Sequence, residues 1–145
     1  MKYVPTLMAL FAAACLLLIA AEGPGVTFVG HDKVAESFSK GGSLVTQSDL
    51  TVSGAHRTGP GQVEVHDKET DVFYVIDGEA TFVTGGTMVG GKMTKAGQWL
   101  GTDIQGGQTH RLTKGDVIVI PAGTPHWFKE VPKAVSYHVV KVLKP

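Results

Sequence analysis

Residues Gly115 to Glu130, GDVIVIPAGTPHWFKE, contain a strand, a forced turn and the start of another strand. Val117 to Ile120 is a short β-branched apolar run, which reads as a buried strand. Pro121, Gly123 and Pro125 stop its continuation and bend the chain, so that His126 opens a new strand ahead of Trp127 and Phe128. A second run, EVHDKETDVFYVIDG from Glu64 to Gly78, reads as the opposite wall of the same pocket. Glu64 and His66 stand two apart in a stretch of strand propensity, so both leave one face. Asp71 begins the next apolar strand, with Phe73 and Val75 on its side and Val72, Tyr74 and Ile76 on the other. Gln62–His66 and Asp71–Ile76 are expected to pair as a hairpin, and Asp77-Gly78 to turn tightly into Ala80 and Phe82.

The composition agrees with such a chain. Nineteen glycines and seven prolines in 145 residues favour many turns, and 43% hydrophobic with 18% charged residues describes one globular domain. Thirteen basic against thirteen acidic residues leave no electrostatic footprint for nucleic acid or an anionic membrane surface. Asn is absent, so no N-glycosylation acceptor exists.

The two runs resemble the paired motifs of the cupin superfamily. The family's second motif, G-x5-P-x-G-x2-H-x3-N, is matched by Gly115, Pro121, Gly123 and His126, with Glu130 in place of the final Asn. The first motif is matched in spacing by His66, Asp71 and Gly78, with Glu64 where the family has its first His and Asp71 where it has Glu. The resemblance implies an all-β jelly-roll barrel, a small-molecule ligand, and a metal set of Glu64, His66, Asp71 and His126. It spans roughly Leu50 to Leu143.

Two carboxylates and two imidazoles inside an apolar barrel must be neutralised or paired, and no Lys or Arg falls in the ligand-face pattern of these runs. A divalent cation meets that need, and the carboxylate-rich set suits Mn, Fe(II) or Zn. The alternative is that the two carboxylates mark a site that has lost its metal and become a binding barrel. With a metal, a lyase, isomerase or dioxygenase acting on an oxygen-rich metabolite is expected, with His110, Glu130 or His56 as proton carrier. Without one, the barrel is a periplasmic module that binds or senses a small ligand.

Residues 1–21 read as a signal peptide. Lys2 precedes an uncharged Leu- and Ala-rich stretch that ends in Ile19-Ala20-Ala21. The expected location is periplasmic or secreted, with no membrane contact after cleavage; an uncleaved membrane anchor is the alternative. Cleavage would remove the only cysteine, Cys15, and leave no disulfide. Residues 22–49 form an N-terminal extension, with a helix over His31–Lys40 that carries Val34 and Phe38 on one side and stops at Gly41-Gly42. Residues 50–145 form the barrel domain.

Because both faces of the first-motif strands are apolar, the outward set needs a cover, and a homodimer is expected. Gly85 to Gly107 is glycine-rich and is expected to hold extra strands or a lid at the barrel mouth. Arg57 and Arg111 each follow a histidine; they read as anion contacts near the pocket mouth or as chance pairs. His138, alternating with Val140 and Val142, reads as structural.

Overall fold

The structure is a computed structural model that describes residues 25–144; the segment read as a signal peptide lies outside the described residues. Its elements are α1 (His31–Lys40), β1 (Gly42–Thr46), β2 (Leu50–Arg57), β3 (Val63–His66), β4 (Glu69–Thr84), β5 (Thr87–Val89), β6 (Lys92–Lys95), β7 (Gln98–Gly101), β8 (Asp103–Gln105), β9 (Gln108–Thr113), β10 (Val117–Ile120), β11 (His126–Glu130) and β12 (Val135–Leu143). All strand pairs are antiparallel. Two main sheets result, one ordered β1-β2-β12-β4-β10 and the other β6-β7-β3-β11-β4-β9, with β4 common to both, and β5 and β8 form a separate two-stranded sheet. This is the expected all-β jelly roll.

The long strand β4 corrects one expectation. Asp77-Gly78 is not a hairpin turn; β4 runs straight through it and passes from one sheet to the other. Gly78 adopts φ +81°, and a Cβ there would strike the carbonyl of Ala134, so only glycine fits this corner. A register shift at Ser136/Tyr137 on β12 marks the same bend. The expected β3–β4 hairpin is also absent: β3 pairs with β7 and β11, while the first half of β4 pairs with β10 and β12. The two strands therefore lie in opposite sheets and face each other across the core.

Between the sheets, Phe73, Phe82, Phe128 and Tyr137 form an aromatic cluster with ring centroids 4.6–5.8 Å apart. Val75, Ala80, Leu112, Ile120, Val131 and Val135 complete this buried cluster. Val117 to Ile120 alternates instead of being buried throughout, with Val117 61% and Val119 57% exposed, because no element covers the outer side of β10 among the described residues.

Helix α1 covers the other end of that outer face. Ser37 is buried directly over Gly54, where no Cβ would fit, and the Phe38 ring meets the His138 ring edge-on at 4.5 Å. Gly41, at φ +71°, ends the helix as its sequence predicts. Among the described residues, no helix is long and apolar enough to cross a membrane.

The glycine-rich stretch forms nested strands: β5 pairs with β8, β6 with β7, and β7 with β3. Its β6 and β7 extend the second sheet, β5 and β8 stand apart from it, and β7 delivers Gln98 opposite His66.

Candidate metal centre

Strand register assembles the site. Glu64 on β3 is paired directly with His126 at the start of β11, and His66 follows two residues later on the same face. The turn that positions His126 is tied down at both sides: Gly123 donates its N–H to the His66 carbonyl at 2.7 Å, and the Thr124 N–H bonds the Pro121 carbonyl at 3.1 Å. Asp71 arrives from β4 in the facing sheet.

The four side chains meet. Nε2 of His66 lies 3.5 Å from Glu64 Oε2 and 3.3 Å from Asp71 Oδ2. Nε2 of His126 lies 3.7 Å from the same Asp71 oxygen. Ligand atoms of Glu64, His66 and His126 all fall within 4.8 Å of one another, spacing that could hold a metal ion. A second group, His66, Glu69 and Asp71, meets the same criterion. However, Glu69 approaches His66 from its Nδ1 side, at 3.6 Å, and Gln98 already bonds that nitrogen.

Hydrogen bonds decide what the imidazoles offer. His126 Nδ1 is 3.0 Å from the Thr124 carbonyl, which can only accept, so Nδ1 carries the proton. Burial pulls the His126 pKa below the ordinary value, against the opposing pull of the Thr124 carbonyl and the Asp71 charge. The neutral ring therefore turns an Nε2 lone pair toward a carboxylate oxygen 3.7 Å away, a contact that a cation between them would relieve. His66 is held likewise by the Gln98 side chain at Nδ1. Burial lowers its pKa most strongly as a single influence, but the Asp71 and Glu64 carboxylates outweigh it and leave the value raised. Burial also works to raise the Asp71 pKa, yet His66 and Lys141 prevail and lower it. Each metal-facing nitrogen thus has its other ring nitrogen anchored to an oxygen, the support that metal-binding histidines ordinarily have. The donor set fits a divalent ion.

The structure corrects one premise. Cations do enter the pocket. Lys141 on β12, paired in register with Asp71, places Nζ 2.9 and 3.0 Å from its two oxygens and 3.0 Å from Glu69. Arg57 also lines the cavity, in register with Val135 at the start of β12, away from Lys141 near that strand's end. The volume of this cavity is about 120 Å³. Gln62, Tyr137 and Val139 complete the walls that sequence reasoning missed. Period-two alternation along Val135, Tyr137, Val139 and Lys141 was the available signal.

None of the three proposed proton carriers lines the cavity. His110 bonds Thr84 Oγ1 through Nε2 at 2.8 Å, beside an external groove with Glu79, Arg111 and Pro132. Glu130 is exposed and accepts from Thr81 Oγ1 at 3.1 Å. His56 is exposed and bonds Ser136 Oγ at 2.8 Å; strand alternation sends it outward and its neighbour Arg57 inward. Arg111 is spent on Glu79 at 2.6 Å.

Residues 50–145 match the family described as Cupin. No curated protein matches the chain. Among solved structures, a Bacillus halodurans protein is similar at TM-score 0.58 and 15% identity, covering 86% of each chain. The cupin domain of Schizosaccharomyces pombe Cnp3 follows at TM-score 0.52 and 14% identity, over 71% of this chain and 59% of that one. DMSP lyase DddQ from Ruegeria pomeroyi gives TM-score 0.47 and 18% identity, over 66% of this chain and 39% of that one. The chain therefore spans less than two thirds of the length of the last two, and likenesses at this identity show the fold alone.

Proposed function

This chain belongs to the cupin family, and from that premise we propose that it is an exported, metal-binding cupin acting as a metal-dependent lyase, isomerase or dioxygenase on a small oxygen-rich molecule. The supporting observation is the neutral His126 ring, its Nδ1 proton given to Thr124 and its Nε2 lone pair turned toward Asp71 beside His66 Nε2. Glu64, His66 and His126 would hold Mn, Fe or Zn, with Asp71 behind them shared with Lys141. A divalent ion bound there would supply Lewis acidity or, if it is iron or manganese, redox capacity.

The protein's own groups do the rest. Gln98 and the Thr124 carbonyl hold the rings in orientation. Phe73, Phe128 and Val139 keep the walls apolar and limit water. Glu64 completes the ligand set: its side chain is 33% exposed and, unlike Asp71 and Glu69, it has no lysine partner among the described residues, so its carboxylate is free to turn to an ion.

Export to the periplasm or medium is supported by the apolar 1–21 segment, with a membrane-anchored form as the alternative. A homodimer is supported by exposed Tyr74, Val117, Val119 and Val142 on one sheet face. A second reading, a non-catalytic binding barrel, is favoured by the placement of His110, Glu130 and His56 outside the cavity.

Elemental analysis of the purified protein beside Glu64→Ala and His126→Ala tests the proposal. The wild type should hold about one metal per chain and the variants a small fraction of that. Equal metal in all three, or none in any, overturns the site.

A further inference from the structure

Arg57 occupies the cavity without an acidic partner. Among the described residues no carboxylate lies within salt-bridge distance of it, and its Nε is buried with no hydrogen-bond acceptor. Every other charge lining the cavity is engaged: Lys141 with Asp71 and Glu69, Glu64 and Asp71 with His66. The arginine is also held in place. Its Cζ sits 4.9 Å from the centre of the Phe128 ring, and its Nη1 fills the space where a Cβ on Gly61 would lie, 2.8 Å away. A guanidinium so fixed loses little further freedom on binding, and its planar fork matches a carboxylate with two parallel hydrogen bonds. Beside it stands Tyr137. Burial pushes the phenol pKa up, against the downward pull of the Arg57 guanidinium that hydrogen-bonds it, so the phenol stays neutral beside Arg57 in the cavity wall.

Resting on the metal-centre reading above, we infer that Arg57 is a carboxylate-binding residue, and that the cavity takes a short carboxylic acid whose second oxygen, a hydroxyl or carbonyl, reaches the His66–His126 end. Size agrees. A cavity of about 150 Å³ accommodates benzene, so about 120 Å³ suits an acid of roughly five or six heavy atoms. The apolar wall of Phe73, Phe128 and Val139 between the two ends suits the carbon skeleton of such an acid and not a fully hydrated dianion such as phosphate.

Calorimetric titration with lactate, lactamide and inorganic phosphate, on zinc-loaded and on chelator-treated protein, tests this. Wild type should bind lactate about 10- to 100-fold more tightly than lactamide, the range for a hydrogen bond to a charged group, and phosphate more weakly than lactate. Arg57→Gln should bring the lactate-to-lactamide ratio near one while leaving zinc content unchanged. Arg57→Lys should retain only part of the preference, and it serves alone should Arg57→Gln not fold. A wild-type ratio near one, a ratio preserved in Arg57→Gln (or, where only Arg57→Lys folds, undiminished in it), or tighter binding of phosphate overturns the assignment. A lactate preference that depends on Arg57 in a protein that takes up no zinc would sink the metal reading and leave the role of Arg57 standing.

Discussion

Replacing Lys141 with methionine tests whether Asp71 belongs to an ion pair before it belongs to a metal. The ammonium lies 2.9 and 3.0 Å from the two oxygens of Asp71, and Asp71 is only 2% exposed. Removing one member of a buried pair costs about 3–5 kcal/mol. The Lys141 side chain is 26% exposed, and His66 Nε2 remains 3.3 Å from Asp71, so the loss belongs at the low end, about 3 kcal/mol. For a folded part of roughly 120 residues this corresponds to a fall of about 12 °C in Tm. Urea unfolding of chelator-treated wild type, Lys141→Met, Asp71→Asn and the double variant measures it. The two substitutions should couple by about 2 kcal/mol, because each removes the same contact. Zinc should restore part of the Lys141→Met loss, since the freed carboxylate can then turn to the ion. A loss below about 1 kcal/mol, or strict additivity, would show that Lys141 does not neutralise Asp71.

Three further outcomes are expected. Gln98→Leu removes the acceptor at His66 Nδ1 and should weaken metal binding about 10- to 100-fold with an unchanged circular dichroism spectrum, read by competition with a chromogenic chelator. Gly78→Ala should cost about 3 kcal/mol or more, or abolish soluble expression, because φ is +81° and Ala134 blocks the Cβ; Gly59→Ala, with nothing within 4 Å, should be near neutral in the same urea titration. Val117→Lys with Val119→Lys, on the exposed face of β10, should convert a dimer to a monomer in sedimentation velocity at unchanged metal content, and a dimer that survives both charges lies elsewhere.

The spacing of Glu64, His66, Asp71 and His126 was readable because two short-range rules determine it: strand alternation puts Glu64 and His66 on one face, and Pro121, Gly123 and Pro125 admit only a turn before His126. Their meeting was not a local matter. Consecutive strands β3 and β4 sit in opposite sheets, and nothing in the residues between them, Asp67 and Lys68, distinguishes a sheet-crossing connection from a hairpin. Asp77-Gly78 failed for a related reason: a positive φ serves a hairpin turn and a sheet corner equally well. Lys141 was missed because period-two alternation states which residues share a face but not which face is inward. Taking His138, Val140 and Val142 as the packed set sent Lys141 to solvent, whereas Tyr137, Val139 and Lys141 face the cavity. His56 and Arg57 show the same ambiguity with the opposite result: one residue of the pair had to point inward, and it was the arginine.

The charges around the cavity connect its two ends. Glu64, Asp71 and Glu69 bring three negative charges, and Arg57 and Lys141 bring two positive ones. With both imidazoles neutral, the form in which they ligate a metal, these groups sum to one excess negative charge; without a metal, Asp71 and Glu64 draw a proton onto His66 instead. A bound dication reverses the sign to a single excess positive charge, and a monocarboxylate on Arg57 then brings it to zero. In so small and largely apolar a space such charge balance weighs more than it would in water. Metal and acid should therefore raise each other's affinity, and by the same factor, since coupling between two bound ligands is reciprocal. This also gives Lys141 a reason to be present. By holding Asp71 and Glu69 it leaves the metal-loaded site with one excess positive charge where it would otherwise be neutral, so the pair that looked like a competitor of the metal is what lets the other end of the cavity attract an acid.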